Sequence, residues 1–130
     1  MERDIETRSD IELLLREFYS VAMTDLKISH FFTRVVRLDL ETHIPVIADF
    51  WEKVLFGNPV YFGNPMSVHQ HLHEKSPLEK EHFDRWLEIW IETVDRLFAG
   101  ETAENAKAKA AVIAKSLLNR LENPFTAISR

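Results

Sequence analysis

Four of the six histidines of this 130-residue chain fall between Tyr61 and Trp86, in a stretch bracketed by two helix-start signals. His69 and His73 are four apart and share one face of any helix they lie on, whereas His71 points elsewhere. Imidazoles so placed have three chemistries open to them. They can be plain hydrogen-bonded or surface histidines. They can hold zinc, although Gln70 stands where a metalloprotease helix carries its glutamate and no cysteine is present to complete a set. Or one of them can be the axial ligand of a haem iron, which asks for a single nitrogen here and an apolar slot supplied elsewhere. A carboxylate-bridged di-iron site is a further option through Glu79-x-x-His82, but that architecture needs the motif twice and it occurs once.

The elements that must position these groups are helical. Asn64-Pro65 predicts a cap followed by proline at the first helical position, and Ser76 with Pro77 and Glu79 predicts a second start almost at once. The helix between them is squeezed to two or three turns ending near Glu74 or Lys75, too short to stand alone. The following helix, from Pro77 to about Ala99, carries Phe83, Trp86, Leu87, Trp90, Ile91, Val94, Leu97 and Phe98 on one wide stripe and stops at Gly100.

Upstream, residues 1–8 are polar and predicted to be a flexible end with Ile5 as its one contact; residues 124–130 form the other flexible end. Ser9 with Glu12 has capping-box spacing, and Ile11, Leu14, Leu15, Phe18 and Ala22 recur at helical period. Tyr19 sits beside that face, either as a core tyrosine or as a hydroxyl donor into a pocket. A tight corner after Asp25 ends in Phe31-Phe32, with Phe32 as the inward one. Arg34 to Asp39 is a polar connection. The next helix is expected from Thr42, because Pro45 is tolerated only in a first turn, to Phe56 before Gly57-Asn58-Pro59. It aligns His43, Ile47, Phe50, Trp51, Val54 and Leu55. The last helix begins near Thr102 and is rich in alanine, which permits close helix contact. No strand pattern or phosphate-binding glycine loop occurs, so the fold class is all-α and the chain is one domain.

Composition narrows the function. A formal charge of −5 leaves no general basic patch and argues against nucleic acid. The absence of cysteine excludes disulfides, thiolate metal sites and cysteine nucleophiles. The charged first ten residues have no apolar run of the signal-peptide kind, and no later run is long enough to span a membrane, so the expectation is a cytoplasmic protein.

With these residues laid out, the sequence resembles the truncated haemoglobins, most closely their third group. The likeness runs from Asp10 to Leu121 through Phe18-Tyr19, Asp25, Phe31-Phe32, His43, Phe50-Trp51, Tyr61-x-Gly63-x-Pro65, His82-Phe83 and Trp86-Leu87. The resemblance implies a shortened globin, two helices packed over two, around a haem b. It implies Tyr19, His43 and Trp86 as the distal residues, and Phe32 and Ile47 against the haem. Phe50, Trp51, Leu72, Phe83 and Trp90 would be further lining. Counting back from His82-Phe83 places the iron ligand at His73; counting forward from Tyr61-x-Gly63-x-Pro65 places it nearer His69. His73 is taken as the ligand, His69 as the alternative, and His71 as solvent-facing. The partners implied are oxygen, carbon monoxide and nitric oxide. Nitric oxide dioxygenation or a peroxidase-like reaction would need an external reductase. The protein would be a monomer or weak dimer. The alternatives are a cofactor-free helical sensor or interaction domain, and a non-haem metal-binding helical protein.

Overall fold

The computed structural model describes residues 3–123, so the expectation for residues 124–130 lies outside the described residues. Five α-helices follow in order: α1 (Arg8–Ala22), α2 (Leu40–Phe56), α3 (Pro65–Lys75), α4 (Lys80–Leu97) and α5 (Glu101–Glu122), with a π-helical turn (Phe31–Val35) between α1 and α2. No strand occurs among the described residues. α1 packs on α2 and α4 on α5, and the two pairs are joined by α1 against α4 and α2 against α5, a two-over-two arrangement. Phe18, Trp90, Ile89 and Val94 are fully buried at its centre. Ala103, Ala106, Ala110 and Ala114 let α5 lie close against α4, and Trp90 Nε1–H donates to the Ala106 carbonyl at 3.2 Å, satisfying its buried indole.

Several starts differ from the sequence expectation, each for a local reason. The capping box of α1 is Thr7 with Asp10, two residues before Ser9. Buried Asp10 also accepts from the Glu6 and Thr7 amides and from the Arg3 guanidinium, which fixes the register. Residues 3–8 are accordingly tied down rather than frayed: Ile5 is buried and the Asp4 carboxylate accepts from the amides of Thr102 and Ala103, capping α5. Gly100, at φ +147°, precedes that cap, and a β-carbon there would fall on the Asp4 carboxylate.

α2 begins at Leu40, with Asp39 as its cap, and carries Pro45 inside the helix rather than in its first turn. Pro45 is exposed, so the Glu41 carbonyl that loses its helical N–H donor sits on the side of α2 where water can serve it. α4 begins at Lys80, three residues after the expected Pro77. The bracket there is Glu79 with His82, because Ser76 before proline is extended and closes α3 instead. At the corner, Phe31 is the buried phenylalanine, while Phe32 is half-buried and stands edge-on to Tyr19 at 5.6 Å. No helix among the described residues is long and apolar enough to cross a membrane.

Candidate functional site

α2 presents two adjacent stripes. Ile44, Ala48 and Trp51 are buried in the core, whereas His43, Ile47, Phe50 and Val54, one residue earlier in each turn, are only half-buried. α3 likewise buries none of its side chains fully; its inward row is Met66, His69, Leu72 and His73, all half-buried. The neighbours of α3 are the π-helical turn and α5, and it does not pack on α2. Two half-buried apolar rows, each with a histidine, thus lie on helices that do not pack on one another.

Tyr19, on α1, stands beside the α2 row. Its hydroxyl lies 2.8 Å from His43 Nε2, and its ring is edge-on to both His43 and Phe32. Burial pushes the Tyr19 phenol up from its ordinary value and the His43 imidazole down, so both are neutral near pH 7 and share one hydrogen. Trp86 is half-buried on α4 and reaches this group through Phe18, whose ring is edge-on to Trp86 at 6.1 Å and to Tyr19 at 5.1 Å. Phe18 as the wedge between the two is a residue that sequence reasoning placed only in the core.

On α3, the histidines differ in what their Nδ1 atoms do. His69 Nδ1 lies 2.6 Å from the Pro65 carbonyl oxygen; a carbonyl only accepts, so Nδ1 carries the hydrogen and the Nε2 lone pair is uncommitted. That is the tautomer a metal-binding histidine needs. His73 Nδ1 instead accepts the Leu78 backbone N–H at 2.9 Å, which puts the hydrogen of the neutral ring on Nε2. Burial lowers the pKa of His69, which the Pro65 carbonyl partly offsets. His71 is exposed, 3.7 Å from Glu74. The Pro65 carbonyl and the Leu78 amide were not legible as partners, although a carbonyl four residues before a helical histidine is always a possible acceptor. Of the remaining expected lining residues, Leu72 is half-buried, and Trp51, Phe83 and Trp90 are buried. Among the described residues no three His, Asp or Glu side chains converge as a metal site, which the zinc and di-iron readings require.

Comparison with known proteins agrees with this layout. Residues 4–119 match the bacterial-like globin family. The chain is 26% identical over 117 residues to a group 3 truncated haemoglobin of Campylobacter jejuni, covering 88% of this chain and 90% of that one. It superposes on the crystal structure of a group III truncated haemoglobin from Campylobacter jejuni with a TM-score of 0.81 at 25% identity, covering 93% of this chain and 95% of the other. An all-helical two-over-two frame and a family match over residues 4–119 together place the chain in the bacterial-like globin family.

Proposed function

We propose that the slot between α2 and α3 holds a haem b whose iron is bound by His69, not His73, and that Tyr19, His43 and Trp86 serve a diatomic ligand on the other side. The observation that carries the choice of ligand is the Pro65 contact: His69 offers a free Nε2 lone pair with its ring orientation fixed, while the lone pair of His73 is occupied by the Leu78 amide. The unfilled half-buried rows of Ile47, Phe50 and Leu72 supply apolar walls suited to a flat macrocycle, and Phe32 adds an aromatic one. A haem bound there supplies an iron with a coordination position open to oxygen, carbon monoxide or nitric oxide.

The chain's own contribution is polarity at that position. If His43 Nε2–H donates to the Tyr19 oxygen, the Tyr19 hydroxyl hydrogen remains free to point into the slot. The buried tyrosine and the half-buried histidine then act as one oriented donor. Such a donor favours oxygen, which accepts a hydrogen bond well when bound, over carbon monoxide. Chemistry on oxygen, nitric oxide or peroxide fits this pocket better than oxygen delivery.

Absorption spectra of hemin-reconstituted wild type, His69→Ala and His73→Ala test the assignment. A Soret band lost in His69→Ala and kept in His73→Ala is expected. Dependence on His73 alone would overturn the ligand choice, and no Soret band in the wild type would overturn the haem.

A further inference from the structure

All three tryptophans of the chain stand in one stack. Trp86 and Trp90 are nearly parallel, at 8° with centroids 6.1 Å apart, and Trp90 lies on Trp51 at 4.6 Å and 18°. The series continues edge-on from Trp51 to Phe50 at 5.4 Å and from Phe50 to Tyr61 at 5.3 Å. Packing alone explains one or two such contacts. It does not account for three stacked indoles that lead, across the single Phe50 ring, to a phenol. One end, Trp86, adjoins Phe18, which in turn meets Tyr19 beside the proposed haem slot. The other, Tyr61, folds over Gly63 and lines an open pocket of about 460 Å³ together with Phe50, Lys53, Val54, Lys109 and Ile113. Lys53 and Lys109 are exposed, and neither enters an ion pair among the described residues.

We propose that Tyr61, Trp51, Trp90 and Trp86 carry single electrons from a small anionic reductant of the ascorbate class, seated beside Lys53 and Lys109, to the haem site, where a peroxide is reduced; this rests on the haem reading above. Indole and phenol are the side chains of this chain most easily oxidised by one electron. Reduction of hydrogen peroxide to two waters takes two electrons and two protons. The electrons leave Trp86 in two successive passes, and each time the indole radical cation is refilled from Trp90 and then Trp51. The Trp90 N–H faces only the Ala106 carbonyl, too weak a base to take its proton, so the oxidised ring stays a mobile cation. Tyr61, half-exposed, loses its phenolic proton to water when it gives up an electron and regains one when the reductant restores it. Two ascorbate monoanions supply the two electrons and release two protons to solvent, and two protons are consumed at the peroxide, so the sum balances. The two ammoniums attract the anion to the ring that must be reduced.

Freeze-quench paramagnetic resonance of the ferric haem-loaded protein mixed with hydrogen peroxide tests the route. A tyrosyl signal is expected in the wild type and in Tyr19→Phe, and its loss in Tyr61→Phe. In Trp90→Phe the signal should fall severalfold while peptide mapping finds oxidation collected at Trp86. Persistence of the signal in Tyr61→Phe, or indifference to Trp90→Phe, overturns the route. Reversing both charges with Lys53→Glu and Lys109→Glu should slow the quenching of the signal by ascorbate severalfold at low salt, and an unchanged rate overturns the reductant site. Because Trp90 is in the core, haem-free wild type and Tyr61→Phe, which alters a half-exposed ring, are compared under azidyl radicals from pulse radiolysis. First-order conversion of indolyl into tyrosyl absorbance should vanish in Tyr61→Phe. A chain that takes up no haem but passes this arm overturns the haem reading and not the conduction; a haem-loaded chain that fails it overturns the conduction alone.

Discussion

His69 Nδ1 donates to the Pro65 carbonyl oxygen at 2.6 Å, one turn back on the same helix, and so leaves a single lone pair directed away from its own backbone. His73, one turn on, faces the opposite way chemically, accepting from Leu78. Substitutions at the two positions should therefore fail differently. His69→Gly is expected to lose haem and to regain a Soret band with added imidazole. His73→Ala is expected to keep haem and lose about 1–3 kcal/mol of stability, because the Leu78 amide is left without an acceptor beside a buried side chain. Urea unfolding of both variants beside their spectra separates the two roles.

Tyr19→Phe removes the hydroxyl that pairs with His43 while keeping the ring against Phe18 and Phe32. A hydrogen bond to a charged acceptor contributes about 1.5–3 kcal/mol, so oxygen dissociation should accelerate roughly ten- to hundredfold. Carbon monoxide release should change far less. Stopped-flow displacement measures both, and a change confined to carbon monoxide would remove Tyr19 from its assigned role.

The Arg3 guanidinium and the Glu6 and Thr7 amides hold the Asp10 carboxyl down at about 2, below its ordinary 3.8. A carboxyl whose folded-state value is depressed adds stability that is fully present above the unfolded value and is lost as pH falls through the folded one. The contribution is up to about 2 kcal/mol, reduced by screening because Arg3 is 58% exposed. Asp10→Asn should thus be less stable than wild type at neutral pH, and the gap should close between about pH 4 and pH 2. Denaturant titrations across that range check it; a constant gap would exclude the linkage.

Removing the Asp4 carboxylate frees the amides of Thr102 and Ala103 at the head of α5. Asp4→Ala should cost about 0.5–2 kcal/mol, the usual worth of a lost cap. Faster hydrogen exchange should appear in the first turn of α5 and not in α3. Equal exchange in that turn would show that Gly100 alone sets the helix start.

What the sequence made legible was whatever depended on neighbours along the chain. Asn64-Pro65 announced α3, Gly100 announced the break before α5, and the apolar period of α4 located Phe83, Trp90 and Val94. What escaped was decided by partners far away. Thr7 and Ser9 both have an acidic residue three positions on, and only Arg3 reaching Asp10 decides between them. Pro45 broke the first-turn rule because α2 starts at Leu40 on its Asp39 cap and the proline lies on the exposed face of the helix. His69 and His73 are equivalent by spacing, separable only by a carbonyl under one ring and an amide over the other. The tryptophan stack was visible as three helical stripe positions, but the order of contact between α2 and α4 was not.

The Asp4 cap also sets an order of events during folding. The group that caps α5 lies ahead of α1 in the chain, and the amides it serves lie 98 and 99 residues later. Contacts of such separation come late, since a long loop must close before they gain anything. α1, α2 and their joint through Arg8 can therefore assemble while the head of α5 is still uncapped, and the last helix locks when the two ends of the domain meet. Fusion or trimming ahead of α1 then acts on the final step of folding, although it touches neither the proposed haem site nor the tryptophans.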